Sequence, residues 1–238
     1  MSDNFNYIDE NLSLIREKIN RAVLIRDDKY KTGEVRLLAV TKTVEAEKIN
    51  FAISKGVDLI GENKVNELLD KYDKLDKDGL EIHFIGTLQT NKVKYIIDKV
   101  NLIQSVNSIR LAEEINKRAA QKNIKMDILV ELNIGEEESK IGIKSGETLE
   151  FIQSLKDFEN LRVKGLMTIP PVSENPEKTE TKKYFSKMSE IFVDISSKKI
   201  DNIDMRILSM GMSEDFEEAI SRGANIVRIG RAIFGDRY

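Results

Sequence analysis

A lysine at the end of a strand-like run and a glycine-rich tail are the features of this 238-residue chain best suited to chemistry. Lys42 stands in Ala39-Val40-Thr41-Lys42-Thr43, directly after the apolar run Val35–Val40. At the mouth of a parallel barrel such an amine is half desolvated, its pKa can fall, and its neutral form can attack a carbonyl. Leu208-Ser209-Met210-Gly211-Met212-Ser213 and Val227-Arg228-Ile229-Gly230-Arg231-Ala232-Ile233-Phe234-Gly235 are each an apolar run that ends in glycine and small polar residues. The first leads at once into a helical pattern from Ser213 to Ile220. Strand ends deliver free backbone N–H groups, glycine permits close approach, and a helix N-terminus adds its dipole, so the pair reads as a phosphate cradle. Loops after the last two strands of (β/α)8 barrels form such cradles. For Lys42 the residues alone leave two readings open, a nucleophile above that cradle and a surface lysine at the start of a helix.

The elements that must position these residues alternate along the chain. Ile8, Leu12, Ile15, Ile19 and Val23 recur at helical spacing, which predicts an amphipathic helix from about Tyr7 to Arg26. Strand-like runs then follow at Val35–Val40, Asp58–Ile60, Ile82–Ile85, Leu102–Gln104, Met126–Leu132, Arg162–Met167, Met205–Leu208 and Ile226–Ile229. A helix-compatible segment follows each of the first seven, and Arg231–Tyr238 forms a short terminal segment after the last. Ala52-Ile53-Ser54-Lys55-Gly56 and Ala219-Ile220-Ser221-Arg222-Gly223 are echoes of one another, each a helix stopped by a basic residue and glycine before a strand. Eight such units without a break in composition predict a single closed α/β barrel, a (β/α)8 TIM barrel with an extra N-terminal helix. An open doubly wound sheet is the structural alternative. The longest irregular stretches, Ile134–Ser145 and Thr168–Lys178, follow strands and so fall on the face where barrel chemistry resides.

Composition removes several functional classes. With 33% charged residues, 40% hydrophobic residues and a net charge of −3, the chain lacks the basic footprint of a nucleic-acid binder. No apolar run approaches the roughly 20 residues of a membrane span, and the N-terminus lacks the basic-then-apolar order of a signal peptide. The absence of cysteine excludes disulfides, metal thiolates and thiol catalysis, and one histidine excludes a histidine-rich metal site. No metal and no membrane partner are therefore expected, and the localisation expected is cytoplasmic.

Leu38-Ala39-Val40-Thr41-Lys42-Thr43, Ile60-Gly61-Glu62-Asn63, His83-Phe84-Ile85-Gly86-Thr87-Leu88-Gln89-Thr90-Asn91-Lys92, Gly165-Leu166-Met167-Thr168, Leu208–Ser213 and Val227–Gly230 occur in this order. Together they resemble the pyridoxal-phosphate homeostasis protein family, whose fold is similar to the N-terminal barrel of alanine racemase. The resemblance runs from about Arg36 to Phe234. It implies one pyridoxal 5′-phosphate (PLP)-binding barrel domain over residues 1–238. It makes Lys42 the Schiff-base partner of the cofactor aldehyde and places Ser209, Gly211, Met212 and Gly230 at the phosphate, mostly through backbone N–H with the Ser209 hydroxyl. It puts Arg228 against the pyridine nitrogen, where a guanidinium that only donates keeps that nitrogen unprotonated and makes the ring a poor electron sink. Met167 is then a packing residue against the ring, and Asn63 either bonds the ring or Lys42 or caps a helix. Ser213 caps the following helix and reaches the phosphate.

The remaining signature residues carry plainer expectations. His83 belongs on the stability face as a satisfied structural histidine. Gln89, Asn91 and Lys92 line the cleft rim or are solvated at a helix start. Glu214 and Asp215 must splay away from a phosphate, and Glu136-Glu137-Glu138 is a solvated loop. The function implied is a monomeric carrier that buffers PLP or delivers it to PLP-dependent apoenzymes, with no catalytic residue and no established turnover. Two alternatives stand beside it. One is an amino-acid racemase of the alanine racemase type, disfavoured because the chain stops at Tyr238 without the domain that supplies a second base. The other is a lysine aldolase that uses the cradle for a sugar phosphate.

Overall fold

The computed structural model describes residues 5–26, 33–137, 140–171 and 179–235. Helix α1 (Asn6–Leu24) precedes β1 (Arg36–Val40), α2 (Ala46–Ser54), β2 (Leu59–Glu62), α3 (Val65–Tyr72), β3 (Glu81–Phe84), α4 (Val93–Ile96), β4 (Leu102–Val106) and α5 (Ile109–Gln121). Then come β5 (Met126–Asn133), β6 (Ile143–Lys144), α6 (Thr148–Ser154), β7 (Leu161–Thr168), α7 (Thr179–Ser197), β8 (Ile203–Ser209), α8 (Phe216–Ser221), β9 (Ile226–Ile229) and α9 (Arg231–Phe234). The sheet order is β4-β3-β2-β1-β9-β8-β7-β5, and a β4–β5 pairing closes the ring. Every pairing is parallel. All eight expected runs are the barrel strands.

The two-residue β6 lies inside the stretch expected to be irregular. Its cause is an overhang: β5 pairs with β4 only as far as Val106↔Val130, and its next residues, Leu132 and Asn133, take Ile143 and Lys144 as partners. Backbone groups that would otherwise lack partners are thereby satisfied. On α1 the buried stripe is Ile8, Leu12, Ile15, Ile19 and Ala22, while the expected Val23 is 41% exposed. Tyr7 and Asn11 donate to the carbonyls of Phe234 and Ile233, so α1 is tied to α9.

The echoed helix stops behave alike. Gly56 and Gly223 both have positive φ, with the glycine N–H on the carbonyl three residues back and the next N–H on the carbonyl of Ala52 or Ala219. That is the paired bonding of a Schellman terminus, which requires a left-handed residue at the glycine.

The core has two layers. Residues such as Ala39, Ile60, Phe84, Ile103, Ile128 and Leu166 face the helices. Inside the barrel, Leu38, Val40, Leu59 and Ile226 pack on one side and Leu102, Leu129 and Met167 on the other, with Ile207 touching both. His83, Gln104, Ser209 and Arg228 are buried as well, so this barrel has a polar interior. No described helix is long and apolar enough to cross a membrane.

Candidate functional site

Lys42 occupies a tight turn at the C-terminal end of β1. The Val44 N–H bonds the Thr41 carbonyl at 3.0 Å, and Thr43 has φ 59°, a left-handed conformation unusual for a β-branched residue. Three side chains hold it there. Glu67 Oε2 accepts from the Thr43 N–H at 2.7 Å, Lys71 Nζ donates to the Thr41 carbonyl at 2.8 Å, and the Thr41 hydroxyl donates to Glu62 Oε1 at 2.7 Å. Lys71 also pairs with Glu62 at 2.9 Å. Glu62 is 1% exposed, and burial raises its carboxyl pKa against the opposing bonds from Thr41 and Lys71. Lys42 itself is half-buried. Strain at the residue beside Lys42, stabilised by a buried ion pair, marks a position that the fold constrains.

Arg228, on β9, is the second feature. Its guanidinium is buried and donates from Nη1 to Ser209 Oγ at 2.8 Å and from Nη2 to the Thr168 carbonyl at 2.7 Å. No carboxylate among the described residues lies within ion-pair distance. Burial lowers its pKa to about 10, with the charges of Asp215 and Glu131 opposing. Glu131 is itself buried, which raises its pKa, and accepts from Asn107 Nδ2 at 3.1 Å. A buried cation held by neutral groups is costly unless a further acceptor meets it. Two of five guanidinium N–H groups are committed to described residues, which leaves donors for a ligand.

The loops after β8 and β9 lie side by side, and three expectations for them are corrected. Met212 does not offer its amide, because that N–H donates to Asp215 Oδ1 at 2.7 Å. Asp215 therefore turns into the loop instead of splaying away. Ser209 does not present its hydroxyl to the cradle, because it donates to Gln104 Oε1 at 2.7 Å and accepts from Arg228. Ser213 does not cap α8, which starts at Phe216 with Asp215 in the cap position. Gly211 has φ 91°, and a Cβ there would stand 2.5 Å from the Ala219 Cβ; its role is to let α8 close on the loop. The Arg228 N–H bonds the Gly211 carbonyl at 3.0 Å and ties the two loops together. Among the described residues the amides of Ser213 and Gly230 have no hydrogen-bond partner and are available.

Asn63 follows β2, as expected. It does not cap α3, whose cap position is Lys64, and its buried Oδ1 has no partner. A Cβ at Gly86 would lie 2.1 Å from the Asn63 carbonyl oxygen, so the glycine of the His-Phe-Ile-Gly string makes room for Asn63. Met167 is fully buried inside the barrel. His83 is buried between Gln104 and Glu81, a satisfied histidine. Gln89 and Asn91 are exposed, while Lys92 lies 5.7 Å from the Tyr95 ring centroid. Glu136 and Glu137 pair with Lys187 and Lys140, and Glu138 lies outside the described residues. Part of the stretch after β7, 172–178, is likewise outside them.

Sequence reasoning missed Glu62, Lys71, Gln104 and Glu131. The signal for Gln104 and Glu131 was present: a charged or amide residue within a strand-like run is costly to bury without a partner. Among the described residues no cluster of histidine, cysteine and carboxylate side chains could hold a metal ion.

Residues 10–238 match the family described as alanine racemase, N-terminal domain. A pyridoxal phosphate homeostasis protein of Aquifex aeolicus is 44% identical over 230 residues, 96% of this chain and 97% of that one. The protein of the same name in Escherichia coli K12 is 36% identical, with 98% and 97% covered. PipY of Synechococcus elongatus, solved with PLP bound, superposes with a TM-score of 0.82 at 26% identity over 96% of this chain and 100% of that one. Alanine racemase of Clostridium difficile shares the fold with a TM-score of 0.75 at 18% identity, this chain covering 56% of it. The chain therefore belongs to the alanine racemase N-terminal domain family and, within it, to the pyridoxal phosphate homeostasis proteins.

Proposed function

We propose that this protein holds pyridoxal 5′-phosphate on Lys42 and serves its homeostasis as a carrier, without catalytic turnover. The observation that carries the reading is the buried Arg228, a cation with free donors and only neutral bonded partners, below a half-buried lysine in a constrained turn. The residues present fit the group. A pyridine nitrogen offers the acceptor that Arg228 lacks, a ring hydroxyl can donate to the unpartnered Asn63 Oδ1, and a phosphate can accept from the Ser213 and Gly230 amides. Met167 supplies part of the apolar floor, Ser209 holds Arg228, and Gly211 sets the loop that Met212 and Ser213 continue. When bound, pyridoxal phosphate supplies an aldehyde that a lysine amine converts reversibly to a Schiff base with loss of water. An arginine at the ring nitrogen withholds a proton from it, which suits storage better than carbanion chemistry.

We place this function in one barrel unit over residues 1–238, acting as a monomer in the cytoplasm and delivering PLP to apoenzymes. The family membership and the absence of a membrane-spanning helix among the described residues support that reading. The test is titration of the purified protein with PLP, followed by absorbance, borohydride reduction and mass spectrometry. An imine band with a pyridoxyl adduct on Lys42 is expected. An adduct wholly on another lysine refutes the assignment.

A further inference from the structure

A continuous polar chain runs through the barrel interior from the ligand-facing arginine to the opposite mouth. Its donor order is dictated from the top, because guanidinium can only donate. Arg228 Nη1 gives a hydrogen bond to Ser209 Oγ at 2.8 Å, so the one Ser209 proton goes to Gln104 Oε1 at 2.7 Å. With its carbonyl occupied, Gln104 turns its Nε2 to His83 Nδ1 at 3.0 Å, and that ring nitrogen must accept. The imidazole proton then sits on Nε2, which faces Glu81 Oε2 at 3.5 Å. Glu81 takes Arg36 on its other oxygen at 2.9 Å. Ser209, Gln104 and His83 are at most 2% exposed, so water cannot replace a missing link.

We infer that His83 is a positioning residue for Arg228, acting through Gln104 and Ser209 as a neutral imidazole with its proton on Nε2. An imidazolium would set an N–H against the Gln104 NH2 and would break the order of every bond above it. Burial lowers the His83 pKa, in agreement. The charged groups that face the ring are Glu81 on β3, Arg36 on β1 and Asp127 on β5. Glu81, held at about 2 by the His83 ring 3.5 Å away and then by Arg36, stays ionised as the anchor of the chain. The consequence for affinity rests on the reading of Arg228 as the partner of a ring nitrogen; the bond order does not.

His83 is the only histidine in the sequence, so its ring nitrogens can be observed without assignment in the full chain labelled with 15N-histidine. Without cofactor at neutral pH, Nδ1 should be unprotonated and Nε2 protonated; the opposite tautomer or an imidazolium overturns the inference. Gln104→Glu keeps the acceptor for Ser209 but removes the donor to Nδ1, so the proton should move to Nδ1 or the ring become charged. Ser209→Ala does not touch the imidazole, yet it frees Gln104 to rotate and should mix the tautomers. Unchanged histidine signals in either variant overturn the proposal.

Gln104→Leu should weaken PLP binding by about tenfold or more. An analogue with carbon in place of the ring nitrogen should bind this variant and the wild type alike. Equal losses for both ligands mean a merely structural role and also overturn the proposal. If the wild type binds PLP and the carbon analogue alike while the tautomer shifts occur as described, the relay stands. It is then the ring-nitrogen reading of Arg228 that fails.

Discussion

Removing Lys71 should damage both stability and the Lys42 turn, and the size of the effect follows from burial. Lys71 bonds the Thr41 carbonyl and pairs with Glu62, whose side chain is 1% exposed against 13% for Lys71. Lys71→Met leaves a buried carboxylate with the Thr41 hydroxyl as its remaining donor. Breaking a buried pair from one side costs about 3–5 kcal/mol. At about 2–4 °C per kcal/mol for a chain of this size, Tm should fall by roughly 6–20 °C.

Glu62 can escape part of that cost by taking a proton, and its pKa is already raised by burial. A group with a raised folded pKa supports the fold below its unfolded pKa and loses that support as pH rises through the folded value. The Lys71→Met deficit should therefore be largest at alkaline pH and shrink on acidification. Glu62→Leu combined with Lys71→Met should restore most of the loss, since an apolar pair can replace a buried ion pair. The Thr41 hydroxyl keeps the Gly61 carbonyl, 3.2 Å away, as an acceptor in that double variant. Urea and thermal unfolding followed by circular dichroism measure stability, and the rate of imine absorbance growth after PLP addition measures the turn. The double variant should recover stability but not rate. A Lys71→Met cost of about 1 kcal/mol or less, the value of an exposed pair, would refute this reasoning.

Lys42→Ala should abolish the imine band and the borohydride adduct while shifting Tm by no more than about 2 °C, as for a residue outside the core; retained imine absorbance would show that another amine is the partner. His83 is held neutral by burial, with its folded pKa below the unfolded value near 6.5. Its contribution is therefore complete above pH 6.5 and should fall by about 1.4 kcal/mol per pH unit below it, until the folded state also titrates. His83→Gln should lack that portion of the pH–stability curve, and identical wild-type and variant slopes between pH 6.5 and 5 would contradict it. Gly211→Ala combines a positive φ with a clash on Ala219 and should cost about 2–5 kcal/mol. Gly146→Ala, which meets nothing within 4 Å, should be near neutral in the same unfolding assay.

Much of this protein was legible in the sequence because it depends on local periodicity. Eight apolar runs separated by amphipathic helices specify a parallel sheet, and the two basic-Gly helix stops recur because a Schellman terminus needs a left-handed residue wherever it occurs. Lys42 and the glycine-ended runs stood out because they end strand-like segments, where a parallel barrel collects its loops, whereas Asn63 stood out through the family resemblance. Which polar atoms are free was decided only by the tertiary structure, since that depends on neighbours far along the chain. Ser209 is taken by Gln104, 105 positions earlier, whereas Asp215 takes the Met212 amide through a turn that no periodicity announces. Glu62 and Lys71 became a buried pair because α3 folds back over the end of β2, bringing both onto the turn that presents Lys42. Barrel closure sets the hydrogen-bond partners in the interior, and those partners determine which donors and acceptors are left for a ligand.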